Sequence, residues 1–72
     1  MRRLFWDYYG PRAGGTANHF RLHLDEFIND MKLTGCTSGV IEYSPTHAAA
    51  WCDAPEDACE TLVSRLRPHR AD

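Results

Sequence analysis

The sequence has no long apolar run and no excess of positive charge, and each shortage excludes a class of protein. The apolar run that follows Arg2 and Arg3 is short and is broken by Asp7, so we expect neither a signal peptide nor a membrane-spanning segment. The net charge is −2, and the eight basic residues are scattered along the chain. Because a dedicated nucleic-acid binder carries a basic patch, we expect no nucleic-acid partner.

The chain has only three cysteines, and their spacing excludes the usual cysteine-based frameworks. The three cysteines, Cys36, Cys52 and Cys59, cannot all pair within one chain, and none forms a C-x-x-C pair. Free thiols used as small apolar side chains suit a reducing compartment, so we expect a cytoplasmic protein with structural cysteines. Cys36 falls in a predicted loop and is expected to be the most accessible of the three.

Lysine is also rare, since the chain has seven arginines and one lysine, a bias typical of bacterial genomes rich in G and C.

The 72 residues allow a single domain, spanning residues 1–72. A charged fraction of 25% and a hydrophobic fraction of 43% are ordinary for a globular chain, so we expect it to fold. A core this small is marginal, and such domains are usually supported by a partner, a metal or a disulfide.

The first half of the chain predicts a strand followed by a helix. Residues 3–9 are rich in aromatics and stop at Gly10 and Pro11, as a strand does. Apolar residues then recur at helical spacing, with Thr16 as the N-cap and Gly35 as the residue that closes the helix.

The second half predicts a hairpin and another helix. Strands at residues 39–44 and 47–52 flank a turn at Pro45, and a helix begins at an Asp53 cap and ends at Pro68. The order β-α-β-β-α favours an α+β two-layer sandwich, with a three-stranded antiparallel sheet and both helices on one face. This topology resembles a ferredoxin-like fold without its last strand, a resemblance that implies no particular function.

The segment between the first strand and the first helix carries a candidate anion site. Gly14 and Gly15 can leave backbone N–H groups free at a helix N-terminus, and Arg12 adds a positive charge there. Residues 12–17 (R-A-G-G-T-A) resemble the R-x-x-G-x-A pattern with which the GNAT acetyltransferases hold the pyrophosphate of acetyl-CoA. This resemblance implies a phosphate-bearing ligand at Arg12, Gly14, Gly15 and Thr16. A GNAT domain is much longer than this chain, and the alternative is that the glycines only let the chain turn.

Three side chains of the first predicted helix suggest a weaker metal site. His19, His23 and Glu26 lie at i, i+4 and i+7 and therefore share one side of the helix. The H-x-x-x-H spacing lets two imidazoles reach one ion, but two ligands from one helix do not complete a site. The alternative is a solvated polar flank, and we expect neither a metal nor a cofactor.

Aromatic residues of the predicted strands point to an interface. With both helices on one face of the sheet, the other face presents Phe5 and Tyr9 from the first strand and Trp51 from the third. RNA-recognition domains stack bases on aromatics at such positions, but the acidic balance of this chain argues against that use. A partner explains such a face better, and homodimerisation would also relieve the small size of the core.

Two classes of function follow from these observations. The first is a homodimeric or protein-interaction module without catalytic activity, because no base and nucleophile are spaced to act together. The second is a small-molecule binder or transferase-like protein that holds CoA, a nucleotide or another phosphate-bearing ligand at the glycine segment. Asp7, His19 and His47 are possible general bases, but no spacing ties them to that segment.

Overall fold

Two helices and four strands follow one another in the computed structural model, which describes all 72 residues. The elements are β1 (Arg2–Tyr9), α1 (Ala13–Asp30), β2 (Thr37–Ser44), β3 (His47–Ala54), α2 (Glu56–Leu66) and β4 (Arg70–Ala71). The strands form one antiparallel sheet in the order β2-β3-β1-β4. The prediction of an α+β fold with an antiparallel sheet is confirmed, whereas the predicted three strands are corrected to four.

The additional strand, β4, is short and exposed, and no apolar pattern marks it. Arg67 adopts a left-handed conformation with φ of 48°, which turns the chain from the end of α2 back toward β1. The N–H groups of His69 and Asp72 then donate to β1 carbonyls at 2.8 and 2.9 Å. Arg2 donates a side-chain hydrogen bond to the Asp72 carbonyl at 3.2 Å, so the two ends of the chain lie side by side.

Both helices pack on the same face of the sheet, which we call the covered face. Alternate residues of the central strands point to it, with Leu4 of β1 opposite Cys52 of β3. They join Trp6, Leu24 of α1 and Leu62 of α2 in one buried cluster. Removing this apolar surface from water is the main source of stability in such a fold.

The helices do not begin at the predicted residues. The first helix starts at Ala13, so Thr16 is not its N-cap but lies in its first turn with the two preceding glycines. It has already ended where the chain reaches Gly35, whose φ of +76° serves the turn before β2. Pro55, rather than Asp53, holds the position before the second helix. Neither helix has the length and apolar character needed to span a membrane.

Candidate functional site

The face of the sheet opposite the helices carries a connected set of charged and aromatic side chains, and we call it the open face. Side chains alternate along a strand, so the register of the sheet brings every second residue of each strand to this side. The residues on the open face are Arg3, Phe5, Asp7 and Tyr9 of β1, Thr37, Gly39, Ile41 and Tyr43 of β2, His47, Ala49, Trp51 and Asp53 of β3, and Arg70 of β4.

Arg70 lies at the centre of this set, although it comes from the two-residue strand at the edge of the sheet. Its guanidinium binds both carboxylate oxygens of Asp7, at 2.8 and 3.1 Å, and donates to the Tyr43 hydroxyl at 2.8 Å. The same group stacks 3.9 Å from the centre of the Phe5 ring. Arg70 therefore ties the C-terminal strand to the strand at the opposite edge and covers Phe5.

Asp7 connects Arg70 to His47. The Nε2 atom of His47 lies 2.9 Å from Oδ1 of Asp7, whose side chain is only 9% exposed. The hydrogen bonds from Arg70, together with that from His47, hold the pKa of Asp7 below its usual value, although partial burial opposes this. The carboxylate is therefore ionised near neutral pH and keeps the imidazole in a fixed orientation.

Two tyrosines enclose the His47 ring and form the most exposed part of the open face. Tyr9 stacks on the imidazole with ring centres 4.3 Å apart, and Tyr43 lies at 4.7 Å. The two tyrosines are 73% and 47% exposed. A partner that meets this end of the sheet would therefore contact aromatic rings whose positions are already set.

A second ion pair lies at the other end of the open face. Arg3 binds the Asp53 carboxylate through two nitrogens, at 2.6 and 2.8 Å, and its guanidinium lies 4.0 Å from the Trp51 ring. This hydrogen bonding to Arg3 lowers the pKa of Asp53. The indole in turn lies across Gly39, where a Cβ atom would collide with it.

The predicted interface residues all lie on the open face, but they differ in exposure. Tyr9 is exposed and Trp51 is half-buried, whereas Phe5 is only 5% exposed because Arg70 covers it. Tyr43 and Arg70 did not enter the interface prediction. The alternation of residues along β2 is a signal that groups Tyr43 with Ile41 on one side of the strand, but no pattern marks the strand that carries Arg70.

The predicted anion site lies at the start of α1 rather than in a loop, with Arg12 at the N-cap and Gly14, Gly15 and Thr16 in the first turn. Arg12, Gly15, Thr16 and His19 line an open depression of about 500 Å³ at the start of this helix. The N–H groups of Gly14 and Gly15 donate to no other group of the chain. The carboxylate of the exposed Glu42 lies against Gly14, on the side where a Cβ atom would point. This negative charge already occupies the neighbourhood in which an anion would bind.

The predicted metal ligands form a chain of hydrogen bonds on the exposed side of α1. His23 lies 3.1 Å from His19 through their Nε2 atoms, and its Nδ1 atom lies 3.1 Å from Oε1 of Glu26. The His23 imidazole therefore lies between His19 and Glu26, and the three side chains do not surround a common point at which an ion could bind. No group of three or more His, Cys, Asp or Glu side chains in the structure is placed to hold a metal ion.

The surface depressions and the cysteines lie away from the open face. None of the three surface depressions is lined by residues of the open face. The cysteines lie elsewhere, with Cys36 half-buried and Cys52 and Cys59 buried. Comparison of the chain with protein-family models, curated proteins and solved structures gives no match.

Proposed function

We propose that this protein is a non-catalytic interaction module that works as a homodimer through its open face. The observation that carries the proposal is the pair of exposed tyrosines, Tyr9 and Tyr43, held around His47 by the Arg70–Asp7 pair. Tyr, Trp and Arg are enriched at the centres of protein interfaces. Because the hydrogen bond from Arg70 to Tyr43 and the stacking of Tyr9 on His47 order these side chains before contact, little further conformational entropy is lost on binding.

The charges of the open face favour a second copy as the partner. Arg3 and Arg70 are each neutralised by a carboxylate, from Asp53 and Asp7 respectively. A polyanion would therefore find no unpaired cation on this face. Two copies related by a two-fold axis would present equal, neutral surfaces to each other, and their Arg and Asp side chains can pair across the axis.

The size of the molecule is compatible with a small dimer interface on this face. The two longer dimensions of the molecule are 34 and 23 Å, so the face offers at most about 780 Å², against about 800 Å² per partner in a standard interface. Only 14 of the 72 residues are buried in the isolated chain. A second copy would supply the apolar burial that a domain of this size lacks.

The order of strands and helices supports assignment to the ferredoxin-like class, with a very short last strand. The same chain order β-α-β-β-α-β and the sheet order β2-β3-β1-β4 are the basis of this part of the proposal. The surface depressions all lie away from the Asp7–His47 pair, which supports a non-catalytic role for it. Three unpaired cysteines support a cytoplasmic location.

Sedimentation equilibrium tests the homodimer directly. We expect a mass near twice the 8.2 kDa of one chain, and we expect Tyr43→Ser to weaken the dimer by about 30-fold, the effect of a residue worth about 2 kcal/mol. Leu22→Ser is the matched control, because this residue is 55% exposed on the other side of the molecule, on α1. A chain that stays monomeric at millimolar concentration, or a dimer that Leu22→Ser weakens as much, would refute the proposal.

A second candidate function is the binding of a phosphate-bearing ligand at the start of α1. Two observations favour it. Three of the predicted residues, Arg12, Gly15 and Thr16, line one depression together with His19, and the N–H of Gly14 beside it donates to no other group. Titration with inorganic phosphate and with CoA should then shift the amide resonances of residues 14–17. Glu42→Gln should tighten binding, because it removes the adjacent negative charge. Unmoved amide resonances at millimolar ligand would eliminate this function.

A further inference from the structure

We propose that Cys36 and Cys52 form a thiol–disulfide exchange site, at which a low-molecular-weight disulfide such as oxidised glutathione is reduced while a Cys36–Cys52 disulfide forms. The proposal is independent of the open face, since both thiols lie on the helix side of the sheet. No disulfide is present in the structure, where all three cysteines are free.

Cys36 comes directly before β2 and packs on the same side of the sheet as Cys52. Cys52 lies in β3 opposite Ser38 of β2, whose hydroxyl hydrogen bonds with Asp25 of α1 and therefore points to the covered face. Cys36 precedes Ser38 by two residues and so points to the same side. Its side chain packs against the buried cluster that contains Cys52, and each thiol is close enough to the other to influence its pKa.

The two cysteines differ in access, which sets the order of the exchange. Cys36 is half-buried and Cys52 is fully buried. The Cys36 thiolate attacks one sulfur of oxidised glutathione, forming a mixed disulfide and releasing one glutathione thiolate. The Cys52 thiolate then attacks the Cys36 sulfur and releases the second. The protein loses two electrons and two protons, and these convert one glutathione disulfide into two glutathione thiols.

The surroundings of the thiols make this exchange slow at neutral pH. Burial raises the pKa of Cys36 and raises that of Cys52 to about 12. Each thiol also lies near a backbone carbonyl, that of Thr34 at 3.9 Å and that of Asp53 at 3.7 Å. Since only the thiolate attacks, we expect the rate to rise by about tenfold for each pH unit between about pH 7 and pH 9.

Thiol counting and peptide mapping of the folded chain test the site. After incubation with oxidised glutathione, we expect the loss of two of the three free thiols and of about 2 Da in mass. Cleavage after Glu42 and Glu56 leaves each cysteine on its own peptide, so the linked pair can be identified. Dithiothreitol should restore all three thiols.

Variants in which one cysteine is replaced separate the alternatives. Cys59→Ala should still form the Cys36–Cys52 disulfide. Cys36→Ala, a change at a half-buried position, should form no disulfide within the chain. Three outcomes would overturn the proposal: a link between Cys52 and Cys59, a mixed disulfide at Cys36 that never resolves, or three thiols that survive in the folded protein. Circular dichroism confirms that each variant is folded during the incubation.

Discussion

Ala49 and Ala50 are neighbours on β3, and both are fully buried, but they are kept from water in two different ways. Ala50 faces the helices and belongs to the cluster of leucines and small residues beneath them. Ala49 faces the other side, where no second layer exists in the isolated chain and where neighbouring side chains of the open face enclose it. The same strand is thus sealed by apolar packing on one side and by ion pairs and aromatic rings on the other.

This difference shows that a sheet face without a second layer can be ordered by hydrogen-bonded ion pairs and stacked aromatic rings. On the covered face, order comes from close packing, in which each side chain contributes roughly in proportion to the apolar area that it buries. On the open face, Arg70 reaches across the sheet to Asp7 and Tyr43. The open face should therefore respond to the removal of a charge, and the covered face to the removal of volume.

The largest effect is expected from a cavity on the covered face. Leu24→Ala removes a side chain that is 1% exposed, and we expect a loss of about 3 kcal/mol in the free energy of unfolding. Urea denaturation followed by circular dichroism measures this loss. Leu22→Ala on the exposed side of the same helix is the control, with an expected change within about 0.5 kcal/mol. Equal losses in the two variants would contradict the assignment of α1 to the core.

The next effect is expected from removing a charge on the open face. Asp7→Asn keeps the volume of the side chain but breaks the charge-assisted bonds with Arg70 and His47, and we expect a loss of about 2 kcal/mol. Urea denaturation again provides the measurement. Asp30→Asn, an exposed change at the end of α1, serves as the control. A loss no larger than that of the control would mean that the network adds nothing to stability.

Acid should reduce the difference between the wild type and Asp7→Asn. The pKa of Asp7 is lower in the folded chain than in the unfolded chain, where an aspartate titrates near about 3.9. Its stabilisation is therefore complete above the unfolded pKa and is lost as the pH falls through the folded pKa. Urea midpoints measured from pH 7 down to pH 3 should converge for the two proteins. Parallel curves over this range would contradict the role assigned to this carboxylate.

The smallest effects are expected from two glycines that differ in their surroundings. Gly15 lies in α1 with open space around it, so Gly15→Ala should stabilise the chain by about 0.5–1 kcal/mol through helix propensity. Gly39 lies beneath the Trp51 ring, so Gly39→Ala should instead destabilise it. The melting temperatures of the two variants give the comparison. An increase in both would show that the Trp51 indole moves aside without a loss of stability.

Hydrophobic periodicity predicted the covered face well and the open face poorly, for a physical reason. Apolar residues at helical or alternating spacing report burial, so the inward residues of β1 and α1, such as Trp6 and Leu24, could be identified from sequence. The network on the open face joins residues that are distant in the sequence, and hydrogen bonds of this kind leave no period. The short strand with Arg70 is the clearest case, because its place depends on side-chain contacts with Asp7 and Tyr43 rather than on its own composition.

The start of α1 shows a second limit of sequence patterns. Two successive glycines usually mark a loop, yet both lie within the helix, where their low helix propensity is a cost. Gly14 faces the Glu42 carboxylate of a strand that follows 28 residues later, a contact that no local pattern contains. The predicted anion site relied on these glycines, and the negative charge of Glu42 beside Gly14 makes the site less favourable for an anion than the sequence indicated.

Because the two ends of the chain lie side by side, the sequence can be circularly permuted. With Arg2 bonded to the Asp72 carbonyl, a short flexible linker can join the ends without disturbing β1 or β4. New ends could then be opened at the exposed turn around Pro45, which leaves every strand intact. In such a circular permutant the short β4, now held in the middle of the chain, would become an internal strand that cannot fray from a free end.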